Sequence, residues 1–328
     1  MGSEKKYRFV SSPLFLGLFF VGLFLSSLYL SDGLSNPYQA SFIPALAGFI
    51  DADSLSTTFS VLLCIALLSF TSVSIFIVNE KIFSCGKRSL SLSLFYLIFA
   101  ISSPEAIFFT GAVAAAPLLL WSLYFSMHTK DGQKELFSAI FLISCASLME
   151  IHIVFVIPFI LYYSLVTSSF AMRSILVAVS AAVTPYIFII SLRYILFDDA
   201  AIFMDLLISR ISDISAPYLK LDSVANFILA LFMAIITARS VISILSVISR
   251  YKVVKSIGVV RNITLMLLLI AVSLLYRDIQ GAFTAVIALP MSFVFMEYLS
   301  LKDIKKRRRV EFLVLMIILA LNRIAEFL

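Results

Sequence analysis

Apolar runs of roughly eighteen or more residues recur along this chain with few charges inside them, and that is the length a helix needs to cross a hydrocarbon core. A chain built this way has one class open to it: an all-α, polytopic transmembrane helical bundle. The runs are continuous rather than alternating, which excludes a membrane β-barrel. Composition agrees, since 62% of the residues are hydrophobic and 13% are charged, far from the balance of a soluble domain. No segment is long enough for a soluble domain, so residues 1–328 are read as a single integral membrane domain.

The expected spans are 11–30, 57–78, 89–103, 106–127, 135–149, 151–168, 172–196, 224–248, 262–276, 279–300 and 311–328. Lys5, Lys6 and Arg8 precede the first run as they would in a signal peptide. That run is long for such a segment and no small-x-small cleavage site follows it, so it reads as a retained span. About eleven spans place the termini on opposite sides, and the basic residues then fix the orientation. With the N-terminus cytoplasmic and the C-terminus periplasmic, inner segments hold 19 of the 25 Lys and Arg residues, Arg261 and the run Lys302 to Arg309 among them. Arg239 falls within a span and is expected to reach toward the inner face. The net charge of +6 is therefore a topology signal. It points to a cytoplasmic membrane, with the lipid bilayer and its anionic headgroups as the partner and no role for nucleic acid.

Three stretches share a plan of helix, charged break and second helix: 89–127, 135–168 and 262–300. In two of them the break residue, Glu105 or Asp278, is followed at the same spacing by Ala-Val-x-Ala-x-Pro (Ala112, Val113, Ala115, Pro117; Ala285, Val286, Ala288, Pro290). The third breaks at Glu150 and carries Pro158 sooner. The first helices, 89–103, 135–149 and 262–276, are each about fifteen residues, or roughly 22 Å, against a core of roughly 30 Å. Started from the inner interface, they stop short of the outer one. Glu105, Glu150 with His152, and Arg277 with Asp278 would then lie around an outward-open polar cavity, because ionisable groups at that depth need protein or water around them. With little tilt and a thinned bilayer the same residues are ordinary surface turns.

Outer connections span 31–57 and 197–222. In the second, Ala200 to Ile214 has apolar residues at helical spacing with Asp205, Arg210 and Asp213 between them, which predicts a helix lying along the surface. Arg193, Arg277 and Arg323 sit near outer span ends, against the positive-inside trend. They pair with neighbouring carboxylates (Asp198 or Asp199, Asp278, Glu326), snorkel to headgroups, or bind an anionic group such as a lipid-linked diphosphate. Glu150 and His152 would point apart on a helix, so they make no metal site. Cys64, Cys85 and Cys145 form no disulfide or ligand framework, and no nucleotide, zinc-protease or serine-hydrolase motif occurs. No metal and no cofactor are expected.

Asp51-Ala52-Asp53, in the first outer loop, resembles the acidic motif of GT-C type membrane glycosyltransferases. That resemblance implies Asp51 or Asp53 as the acidic catalyst. A second resemblance covers most of the chain. Arg88-Ser89-Leu90, Phe95-Tyr96-Leu97, Ser103-Pro104-Glu105, Glu135-Leu136-Phe137, Pro158, Arg173, Pro185-Tyr186 and Ala288-Leu289-Pro290, followed by Lys305-Lys306-Arg307, are similar to an uncharacterised bacterial envelope membrane family (domain of unknown function sixty-four twenty-seven). The chain departs from that pattern at Ser138-Ala139-Ile140 and at Met149-Glu150-Ile151. The resemblance implies a cytoplasmic-membrane location and brings no reaction with it.

The expected function is an inner-membrane protein whose outward polar cavity handles an anionic or lipid-linked cell-envelope intermediate. Glu105 joins Asp51 and Asp53 as catalytic candidates, and Glu150, His152, Arg193, Arg277, Asp278 and Arg323 are the binding candidates. If enzymatic, it would be a lipid-linked-sugar glycosyltransferase or a polysaccharide polymerase. A transporter or flippase, or a non-catalytic membrane scaffold, are the other classes open.

Overall fold

The computed structural model describes residues 13–31, 57–83, 90–102, 104–129, 132–168, 172–214, 224–276, 281, 283–301 and 305–325. Among them are twelve α-helices, three short 3-10 turns and no strand. The helices are α1 (Pro13–Ser31), α2 (Thr57–Phe83), α3 (Leu90–Ala100), α4 (Gly111–Met127), α5 (Gln133–Met149) and α6 (Ile157–Ser168). They continue with α7 (Met172–Phe197), α8 (Ala200–Ser212), α9 (Val224–Leu245), α10 (Val253–Leu275), α11 (Thr284–Ser300) and α12 (Lys305–Ala325). The 3-10 turns are Pro104–Ile107, Ile151–Val156 and Ile248–Arg250.

Among the described residues, four segments are long and apolar enough to cross a membrane: Thr57–Asn79, Met172–Phe197, Phe227–Leu245 and Lys255–Leu275. Six shorter apolar helices accompany them among the described residues. Helices of this kind fit an integral membrane protein. The arrangement of surfaces fits as well, because α7 exposes Leu176, Val183, Ile187 and Phe188 and α9 exposes Phe227, Leu231 and Ile235. Apolar side chains on the outside of a bundle are what lipid covers.

At the centre stand α3, α4 and α11. Helix α4 packs on α2, α5, α6 and α11, while α3 packs on α1, α2 and α11. Small residues allow the close approach: Ala112, Ala115 and Ala116 on α4, and Ala285 and Ala288 on α11, are all buried. The Ala-Val-x-Ala-x-Pro match occupies the second to seventh positions of two helices that are each 17 residues long. Aromatic rings fill the rest, with Phe95 edge-on to Phe312 at 4.7 Å and Phe99 against Phe295 at 5.3 Å.

Two of the three expected short helices are short. Helix α3 has 11 residues and α5 has 17, about 16 and 25 Å long. The third is not: α10 begins at Val253 rather than at 262 and runs for 23 residues, about 34 Å. From Val253 to Val260 the only charge is Lys255, whose Nζ reaches Glu297 on α11 at 2.7 Å, so nothing stops the helix there. Arg261, counted with the cations of the preceding loop, therefore lies inside a helix. Helix α12 likewise begins at Lys305, six residues earlier than expected, and Arg308 donates to the Leu301 carbonyl beyond the end of α11 at 3.0 Å. Pro158 is the second residue of α6, where its missing amide costs nothing, so only Pro117 and Pro290 interrupt second helices.

Candidate functional site: the Glu150–His152 pair

Helix α5 ends because Glu150 turns extended, at φ −134 and ψ 104. Its amide still bonds the Ala146 carbonyl at 2.9 Å, and its own carbonyl accepts from Ile153 at 3.0 Å, opening the 3-10 turn Ile151–Val156. Pro158 fits the first turn of a new helix, and α6 starts there. One extended residue followed by a 3-10 turn is not a continuous α-helix. The expectation that Glu150 and His152 point apart is overturned for that reason: Glu150 Oε1 and His152 Nδ1 are 2.6 Å apart. Glu150 is 7% exposed and His152 6%. No group of three metal-ligating side chains occurs among the described residues.

A residue that follows the first expected break and one that precedes the third meet the pair here. The first is Gly111, the opening residue of α4. A Cβ on Gly111 would stand 2.2 Å from the Met149 carbonyl oxygen and 3.3 Å from Glu150 Oε2, so only glycine fits. The Glu150 carboxylate thus lies against the N-terminal end of α4, where a negative charge is favoured by the helix dipole. Thr110 caps that end, its hydroxyl accepting from the Val113 amide at 3.3 Å. From another side comes Tyr276, the residue after α10. Its ring lies 4.3 Å from the His152 imidazole, centroid to centroid. The Tyr276 hydroxyl donates to the Ile211 carbonyl on α8 at 2.6 Å.

The turn Pro104–Ile107 and the Glu150 break are recessed within the bundle. The Phe109 amide donates to Ser60 Oγ at 2.9 Å, and the Cys64 thiol donates to the Ala106 carbonyl at 3.6 Å. Cys64 is seven residues from the start of α2, about 10 Å down its axis. On the other side, the Ser147 and Tyr186 hydroxyls are 2.6 Å apart. Tyr186 precedes the end of α7 at Phe197 by eleven residues, about 16 Å. Glu150 follows Ser147 by three residues, so it lies roughly a helix turn higher and still well below that end.

The surface helix expected over 200–214 is present as α8, and it closes this recess. Phe203 and Leu207 on its apolar face are buried against Ile151 of the 3-10 turn, with Ile189 and Ile190 of α7 alongside. Asp205 and Asp213 on its other face are exposed. Asp198, at φ 54, makes the corner between α7 and α8. Arg193 grips the first residue after that corner: Nε donates to Asp199 Oδ1 at 3.0 Å, Nη2 pairs with Oδ2, and Phe203 lies under the guanidinium at 4.7 Å. Of the readings open for Arg193, local ion pairing with Asp199 is realised. Where an open, water-filled cavity was expected, α8 packs on the 3-10 turn beside the pair and Tyr276 on the His152 ring.

Of the other sequence candidates, Asp51, Asp53, Arg277 and Asp278 lie outside the described residues. Glu105 is in the turn Pro104–Ile107 and Arg323 in the last turns of α12, each described at the backbone alone. Two residues of the site were missed in the sequence, Gly111 and Tyr276. The signals were a lone glycine opening an apolar run and a tyrosine directly before Arg277. Arg239 makes an ion pair with Glu311 at 2.6 Å. Comparison with protein-family models, with curated proteins and with solved structures gave no match.

Proposed function

We propose that the chain is an integral protein of a bacterial inner membrane, N-terminus in the cytoplasm, with the Glu150 recess facing outward. There it handles an anionic, lipid-linked cell-envelope intermediate. The observation that carries this reading is the Glu150–His152 pair, buried at a break between membrane helices. Ionisable groups at such depth are costly to keep and mark working sites.

With Nδ1 held by the carboxylate, the imidazole is fixed in orientation, and Nε2 is the atom left to take up or deliver a proton. The Tyr276 ring against its face limits rotation further. A carboxylate-oriented imidazole of this kind can accept a proton from a substrate hydroxyl, the step that group transfer to an alcohol requires. Arg277 follows Tyr276 directly in the sequence and supplies the cation for a phosphate. One feature also favours transport: the recess is closed by α8 and Tyr276, so a ligand enters only when that roof moves.

The test is a Glu150→Gln chain expressed in place of the wild type, with the lipid-linked glycan pool extracted and measured by mass spectrometry. A changed pool at normal protein level is expected. An unchanged pool with the variant folded in the membrane rejects the proposal.

A further inference from the structure

Arg261 lies on α10, fifteen residues before Tyr276 and about 22 Å from it along the helix. It shares its end of the bundle with Lys255 and Glu297. Only 2% of it is exposed. One of its terminal nitrogens is well used: Nη1 donates to Ser126 Oγ at 2.6 Å and to the Leu123 carbonyl at 3.2 Å, both in the last turns of α4. The remaining nitrogens, Nε and Nη2, have no hydrogen-bond partner among the described residues. No carboxylate there lies within ion-pairing distance of Arg261, although Glu297, Glu311, Glu150 and Asp199 all have basic partners.

The unused atoms are not a random pair. Nε and Nη2 form one edge of the guanidinium plane, with parallel N–H bonds spaced to grip both oxygens of a carboxylate or phosphate. Capping the end of α4 explains Nη1, because cations are favoured at a helix C-terminus. It does not explain why a whole charged edge is buried beside it, at the cost such groups carry in an apolar interior. Thr129 donates to the Ser164 and Ser126 carbonyls at 3.2 and 3.5 Å, which ties α6 to this end of α4, and the Ser164 hydroxyl is buried without a partner.

We propose that Arg261 is an oxyanion-binding residue, its Nε–Nη2 edge taking a phosphate group inside the bundle between α4, α6 and α10, with the Ser164 hydroxyl available as a further donor. The phosphate comes from a lipid headgroup entering from the bilayer or from a free phosphate. The site is separate from the Glu150 recess and does not rest on the function proposed for it.

The test uses the full chain in two preparations and reads its thermal unfolding midpoint. In the first, detergent-solubilised protein is titrated with inorganic phosphate, chloride serving as the ionic-strength control. In the second, the protein is placed in nanodiscs of phosphatidylcholine alone or with phosphatidic acid. A saturable rise with phosphate supports the site and identifies a free anion. A rise with phosphatidic acid alone supports it and identifies a lipid phosphate. Arg261→Lys, which keeps the charge and loses the paired edge, is expected to weaken either response by about 10- to 100-fold in affinity, the scale of one charge-assisted hydrogen bond. Ser164→Ala should weaken it less. No rise in either preparation, or an equal rise in Arg261→Lys, overturns the proposal. The wild-type titrations decide it even if a variant fails to fold.

Discussion

Helix α10 runs between two buried charge centres that solve the same problem differently. Near its Tyr276 end, Glu150 and His152 answer each other, with the start of α4 behind the carboxylate and a tyrosine ring over the imidazole. Near its other end, Arg261 has one nitrogen satisfied by α4 and an entire edge unanswered. The same helix α4 supplies both settings, its N-terminal end to the acid and its C-terminal turns to the cation. That polarity is the one the helix dipole favours. Burial alone does not mark a site as complete. The first centre is closed by protein on the described sides, whereas the second keeps an edge that no described residue answers.

The closed centre depends most on Gly111, where α4 reaches Met149. Gly111→Ala puts a Cβ within 2.2 Å of a backbone carbonyl that cannot rotate away. The expected loss is about 3 kcal/mol or more in the thermal or denaturant unfolding of the purified protein. Gly22→Ala on α1, where nothing lies within 4 Å, is the control and should change little. Equal behaviour of the two variants would show that α4 does not abut the Glu150 break.

A smaller effect sharpens the contrast between the two centres. Glu150→Ala strands the buried His152 nitrogen without its acceptor and should cost about 2 kcal/mol, whereas Glu150→Gln keeps an acceptor and should cost about 1 kcal/mol. Arg261→Met removes a buried cation that had no acid to lose, and an apolar replacement of similar length is expected to stay within about 1 kcal/mol of wild type. Unfolding of the three variants side by side reads this directly. Were Arg261→Met the most damaging of them, the guanidinium would be a structural cap first and foremost.

Much of this frame was legible in the residues. The breaks at Ser103-Pro104-Glu105 and at Glu150 stand within a few residues of their expected places, because a charge or a proline interrupts an otherwise uniform apolar run and such interruptions are local. The amphipathic α8 was legible for the same reason, its period showing in Phe203 and Leu207. What could not be read was set by contacts distant in the sequence. Lys255 and Arg308 look like loop cations until their partners, Glu297 and the Leu301 carbonyl, are brought beside them, and the helices then extend through them. A spacing of two puts Glu150 and His152 on opposite faces of a helix, whereas the backbone between them is a 3-10 turn opened by an extended residue. Arg261 hid in a charge count. Its isolation is a property of α4 and α6 rather than of its own neighbours in the chain.

The smallest expected effect is at Arg239, and it marks the limit of the comparison. This cation also pairs with a carboxylate inside a helix bundle, Nη1 to Glu311 Oε1 at 2.6 Å. Its side chain, however, is 37% exposed and that of Glu311 18%, and the second Glu311 oxygen already accepts from Tyr298 at 2.7 Å. Where water reaches that end of α9 it screens the pair, and holding two long side chains together offsets most of the attraction. Arg239→Gln should therefore lower stability by no more than about 0.5 kcal/mol, and raising the salt concentration should shrink even that difference. A loss as large as that of Glu150→Ala would mean that lipid rather than water surrounds Arg239. The pair with Glu311 would then belong with the buried centres and not with the surface.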